Sequence, residues 1–127
     1  MATMTGSHEQ RESYDLIGSD KVEGTNVYRS NGERIGEIER IMLEKRSGKV
    51  AYAVMSFGGF LGMGEKYHAV PWATLDYDTD KGGYVVPFTK EQLQAAPAYS
   101  INELTGADSE AARDASFQYY HVTPYWH

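Results

Sequence analysis

Three glycine-centred turn signals punctuate the first two thirds of the chain: Ser30-Asn31-Gly32, Arg46-Ser47-Gly48 and Asp78-Thr79-Asp80-Lys81-Gly82-Gly83. Asn-Gly tolerates the positive φ angles of a type I′ hairpin turn, so the first signal predicts a tight hairpin. Between and around the turns lie runs that fit strands: Val22 to Tyr28, Arg34 to Lys45, Lys49 to Phe57, Lys66 to Val70, Thr74 to Tyr77 and Tyr84 to Val86. Short strands joined by regular turns define a small sandwich or barrel.

One run argues against a strand at first reading. Ile35, Ile38, Ile41 and Met42 recur at helical spacing,. Gly36 weakens a helix there, and glycine turns bound both ends. A bulge inside a strand would switch the inward phase midway and produce the same pattern. Such bending is what a small barrel needs. We therefore expect a strand.

The run Val50-Ala51-Tyr52-Ala53-Val54-Met55-Ser56-Phe57 is apolar at both parities. One face fills a core, and the other needs cover from a helix, a tail or another subunit. After Pro87 the pattern changes. Thr89-Lys90-Glu91-Gln92 fits a capping box, so a short helix follows and stops before Pro97,. Asp108 is a second start signal, for a helix from Ser109 to about Tyr120 that is rich in alanine,.

The glycine-rich stretch Gly58-Gly59-Phe60-Leu61-Gly62-Met63-Gly64 lacks the spacing of a dinucleotide fingerprint and has no Gly-Lys-Ser/Thr ending,. It reads as a loop across the rim of the sheet. Phe60, Leu61 and Met63 also form a candidate contact surface, because clustered apolar groups on a loop mark interfaces. Asp76, Asp78 and Asp80 mimic the opening of a calcium loop. Lys81 stands where that loop requires glycine, and Pro87 where it requires glutamate, so an acidic hairpin tip is expected instead,.

His8, His68, His121 and His127 show no metal-binding spacing,. His68, in a strand, is expected to be a hydrogen-bonded or exposed ring. No nucleophile, base and orienting acid can be picked out by spacing. We expect no catalytic residues, no cofactor and no metal. Glu33, Glu37, Glu39 and Glu44 with Arg34 and Arg40 read as a solvated strand face.

The 127 residues suffice for one core,. With 12 basic and 18 acidic residues the net charge is −6, which opposes binding to a nucleic-acid backbone,. Cysteine is absent, no apolar run is long enough to span a bilayer, and the first 13 residues lack a signal layout,. The expectation is a cytoplasmic protein without membrane insertion. Its parts are a polar arm (1–13), a barrel domain (14–97) and a helical, aromatic extension (98–127).

That extension holds Phe117, Tyr119, Tyr120, Tyr125 and Trp126. Either these fold back over the outer face or open end of the sheet, or they dock on a second subunit or another protein. Tyr125 and Trp126 join Phe60, Leu61 and Met63 as the expected contact residues.

Four segments together resemble one family: Val27-Tyr28 leading into Gly32; Arg34-Ile35-Gly36-Glu37-Ile38; Gly48-Lys49-Val50-Ala51-Tyr52-Ala53-Val54; and His68-Ala69-Val70-Pro71-Trp72. They resemble the PRC-barrel family, named for the photosynthetic reaction-centre H subunit and shared with the ribosome maturation factor RimM. The glycine loop and aromatic end look like its free-standing bacterial members. The resemblance covers roughly Tyr14 to Pro97. It implies a mostly-β fold, a six-stranded barrel with short C-terminal helices, serving as a non-catalytic docking module. A homodimer is the expected assembly. The resemblance also carries two alternatives: an accessory of a photosynthetic or electron-transfer membrane assembly, and an RNA-processing or ribosome-assembly factor. We expect no counterpart here of the RNA-processing domain of RimM-like proteins or of the membrane helix of reaction-centre H subunits.

Overall fold

The helical spacing of the isoleucines comes from two irregularities in one strand. The computed structural model describes residues 16–57 and 66–124. In it, strand β2 (Arg34–Leu43) pairs antiparallel with β1 (Asn26–Arg29) and β3 (Val50–Phe57). Against β1 the register jumps from Gly36 to Arg34, which leaves Ile35 as an extra residue. Against β3 it jumps from Ile38 to Arg40, which leaves Glu39 extra. Each bulge resets which parity faces inward. Ile35, Ile38 and Ile41 therefore all join one core cluster at a spacing of three, although the segment is a strand.

Gly36 has its own reason to be there. A Cβ at this position would run into the carbonyl oxygen of Ser56 on β3. The two backbones approach too closely at this point of the ladder for any side chain.

The sheet is completed by β4 (Tyr67–Pro71), β5 (Asp76–Asp78) and β6 (Gly83–Val86). The strand order is β4-β3-β2-β1-β6-β5, antiparallel except for β1 with β6. A flat sheet of this width would hold its edges about 24 Å apart at normal strand spacing. Only a short link separates Pro71, ending β4, from Asp76, starting β5. Such a link reaches at most about 18 Å. Part of it is a 3₁₀ turn, Trp72–Thr74, which shortens it further. The sheet must therefore curl until its edges approach.

The curl does not close. Among the described residues no ladder joins β4 to β5. The expected closed six-stranded cylinder is corrected to an open, curled six-stranded sheet. The edge of β4 is instead covered by a passing segment. Tyr67 and Tyr99 exchange both backbone hydrogen bonds, at 2.7 and 2.9 Å.

The hairpin tips use glycine differently from the expectation. In the β1–β2 turn only Gly32 has positive φ, at 93°, so the turn is not type I′. Its amide bonds to Arg29, and the Asn31 side chain accepts from the Glu33 amide. This is a non-primed turn followed by a left-handed glycine. Val22 also departs from expectation. It ends a helical turn, α1 (Ser19–Val22), and the strand starts only at Asn26, after Gly24 at φ 89°.

Three helices follow the sheet. Helix α2 (Lys90–Ala95) starts on the expected capping box, with Thr89 Oγ1 accepting from the Gln92 amide and Gln92 Oε1 from the Thr89 amide. Helix α3 (Ile101–Thr105) starts on a second box, Ser100 with Glu103. Helix α4 (Glu110–Tyr120) begins later than expected: its N-cap is Ser109, not Asp108. Ser109 makes no side-chain cap bond and is buried, because its hydroxyl lies against that of Tyr52.

Two apolar clusters sit on opposite faces of the sheet. The inner one gathers Val27, Ile35, Ile38, Ala53, Met55, Val70, Tyr84 and Val86, and is capped by Leu93 of α2, by Ala96 just after that helix and by Tyr120 from α4. The outer one holds Tyr52, Val54 and Ala69 under Leu104, Ala112 and Phe117 of α3 and α4. Burying one such phenyl ring is worth about 2–3 kcal/mol.

Candidate functional site

The five expected contact residues fall outside the described residues. Phe60, Leu61 and Met63 lie between β3 and β4, and Tyr125 and Trp126 follow Pro124. The other aromatic residues of the extension are placed, and they fold back on their own sheet. The Phe117 ring meets Tyr52 edge-on, with centroids 6.2 Å apart. Tyr120 packs on Phe88 at 4.5 Å. The Tyr119 hydroxyl donates to the Gln92 carbonyl at 2.6 Å, tying α4 to α2.

The buried polar groups are mostly engaged in structure. Tyr52 donates its hydroxyl to the Leu104 carbonyl at 2.6 Å, clamping β3 to α3. Burial raises its pKa, opposed by Ser109 and by the charge of Arg113. Ser116 donates to the Ala112 carbonyl within α4. Burial pushes Tyr120 upward too, with Tyr119 adding to the effect, and its hydroxyl has no partner among the described residues.

His68 is buried on β4, 5% exposed. Its Nδ1 lies 3.0 Å from the Pro97 carbonyl, so the proton sits on Nδ1 and donates,. The ring meets Phe57 edge-on at 5.8 Å. Burial lowers its pKa, and the Pro97 carbonyl only partly opposes that. With the Tyr67–Tyr99 pair, this bond straps the segment after α2 onto β4.

The acidic tip behaves as a turn. Asp78 Oδ1 accepts from the amides of Asp80 and Lys81 at 2.9 and 3.2 Å. The Lys81 ammonium lies over the Tyr28 ring, 5.6 Å from its centre,. Among the described residues no group of three metal-ligating side chains occurs. The charged face of β2 is mixed: Glu33, Arg34 and Arg40 are exposed, while Glu37, Glu39 and Glu44 are half-buried. Glu33 pairs with Arg29 at 2.8 Å. Glu44 is held below the usual carboxylate range by hydrogen bonds from Ser47.

Among the described residues an open groove of about 570 Å³ lies along the end of α4. Asp114, Phe117 and Gln118 of α4 line it together with His121 to Pro124, the residues that follow the helix. His121 ends α4 in the left-handed conformation, at φ 60° and ψ 41°. The Val122 amide then bonds back to the Phe117 carbonyl at 3.0 Å,. Sequence reasoning missed this groove because no turn residue marks it: histidine stands where glycine is usual. Helix α3 was missed as well, although Ser100-Ile101-Asn102-Glu103 is a capping box that marks its start,.

Residues 15–93 match the PRC-barrel domain family, more than half of the chain. The chain belongs to the PRC-barrel family. It is also similar, at 28% identity over 109 residues, to an uncharacterized protein of Deinococcus radiodurans. That alignment covers 80% of this chain and 38% of the relative, so the chain spans well under half of the relative's length. The family match stops at residue 93, before α3 and α4 begin. Among the described residues no helix is long and apolar enough to cross a membrane.

Proposed function

We propose that this PRC-barrel protein is a non-enzymatic docking module that acts by protein–protein contact in the cytoplasm, as a homodimer. The observation that carries the reading is the use made of the buried polar side chains. His68, Tyr52 and Ser116 each hold a backbone carbonyl of the fold. A reactive pair needs a base beside a nucleophile, and these groups are committed elsewhere. This use of the buried polar groups among the described residues supports a role by surface contact. Phe60, Leu61 and Met63, on the link between β3 and β4, are the proposed contact residues, with Tyr125 and Trp126.

One motive for a dimer has been met within the chain. The second apolar face of β3 is covered by α3 and α4. The dimer therefore rests on the glycine loop and the last aromatic residues. Light scattering at micromolar concentration tests it. The expected result is a dimer mass that falls to a monomer in a Phe60→Asp/Leu61→Asp variant. A wild-type monomer contradicts it.

A further inference from the structure

Strand β1 turns Val27 into the inner cluster, so Asn26 and Tyr28 face outward,. In the ladder with β2, Asn26 stands opposite Glu37 and Tyr28 opposite Arg34. The bulge brings Arg34 onto this face: in a regular ladder Ile35 would stand opposite Tyr28,. The outer cluster under α3 and α4 holds no residue of β1 or β6. Arg34 is exposed here, and so is Lys81 from the turn before β6.

These side chains hold one another in place. Arg34 Nε donates to the Asn26 side-chain oxygen at 2.8 Å. The Asn26 side-chain nitrogen donates to the Tyr28 hydroxyl at 3.4 Å. The Tyr28 ring lies over Gly83, where a Cβ would meet it at 2.9 Å. The Lys81 ammonium stands over the same ring, 5.6 Å from its centre, and a Cβ at Gly32 would come within 3.8 Å of that ammonium. Among the described residues the ion pairs are Arg29 with Glu33 and Lys90 with Glu33, so neither Arg34 nor Lys81 has a carboxylate partner there. With Nε committed to Asn26, the two terminal nitrogens of Arg34 form the edge that can take a ligand.

In a chain of net charge −6, two such cations beside one ring are a local exception. Their contacts fix them before a ligand arrives, which lowers the ordering cost of binding. A guanidinium edge takes a carboxylate through two parallel hydrogen bonds, and the ammonium takes a second one as a point charge. Carboxylates two residues apart on an extended segment lie on one side of it. A nucleic-acid backbone is opposed by Glu37 in the same ladder and by the net charge,. We infer that Arg34 and Lys81, beside the Tyr28 ring, receive an acidic, extended segment of a partner protein. This rests on the docking reading and adds the partner's chemistry, using none of the contact residues named above.

A nitrogen-edited NMR titration of the intact protein with the capped peptide Glu-Ser-Glu-Ser-Glu tests the assignment. The expected result is saturable shifts of the Arg34 Nε–H, the Asn26 side-chain amide and the Gly32 and Gly83 amides, with binding weakened by salt. The peptide with glutamine in place of glutamate should shift none of them. An Arg34→Gln/Lys81→Gln variant, changed only at exposed positions, should keep the core signals in place and bind about tenfold or more weakly, because a hydrogen bond to a charged group is worth about a decade in affinity. Absence of shifts overturns the site, as does a double variant that binds as well as the wild type. Equal shifts at Lys45 and Arg46 overturn it as unspecific attraction. Inorganic phosphate or an RNA oligonucleotide that binds here where the peptide does not overturns the acidic segment as the occupant. A failed titration beside a dimer that needs Phe60 and Leu61 removes this inference alone, whereas a bound peptide on a monomeric protein sustains it and removes the dimer.

Discussion

The two faces of β3 are equally apolar and are closed by different means. The inner face, with Ala53 and Met55, is closed by the curl of the sheet, through strands far apart in sequence. The outer face, with Tyr52 and Val54, is closed by α3 and α4. The family match ends at residue 93, so the strands that close the inner face lie within it, while the helices that cover the outer face, and Ala96 and Tyr120 that cap the inner one, lie beyond it. A strand apolar on both sides therefore does not require a partner subunit. A short C-terminal extension can satisfy it, through three side chains on two small helices.

The comparison breaks most sharply at Gly36. Adding a methyl group there drives it into the Ser56 carbonyl of the neighbouring strand β3. Gly36→Ala should cost about 4 kcal/mol or more, in the range that marks a specific structural failure. Urea unfolding followed by circular dichroism measures it. A loss under about 1 kcal/mol would mean that the close approach at the bulge is not required for the curl.

The outer face is probed by Phe117→Ala. Phe117 is 3% exposed and packs on Tyr52. The change should cost about 3 kcal/mol by loss of contacts and an unfilled cavity. If the extension were a loose appendage, the same experiment would show almost no change in midpoint.

The smallest effect is on the strap between the faces. Burial lowers the pKa of His68 in the folded state, so the unfolded chain takes up the proton first,. His68 thus contributes stability in full above its unfolded pKa of about 6.5, and that stability is lost as pH falls below it. Stability should decline between pH 7 and pH 5, and His68→Gln should flatten that decline. An equal slope in the variant would assign the pH dependence to other groups.

Most of the sheet was legible because its turns are marked by glycine and its strands by alternating or continuous apolar runs. The strand at Ile35–Ile41 was recoverable only by allowing for bulges, since register is a property of pairs of strands. Closure was misjudged for the same reason: whether β4 and β5 pair depends on how far the curl proceeds. The type I′ turn failed because Asn31 keeps negative φ and uses its side chain to hold Glu33. Asp108 was the better cap by propensity, but Ser109 is fixed by its contact with Tyr52. The groove was not visible at all, because the helix beside it ends in a left-handed turn at a histidine.

Isotope-filtered nuclear Overhauser spectroscopy on a mixture of labelled and unlabelled protein tests the outer closure most directly. The account predicts contacts of the Phe117 ring with Tyr52 and the Val54 methyl groups that arise within single chains. Their absence, or their appearance only between labelled and unlabelled chains, would contradict it.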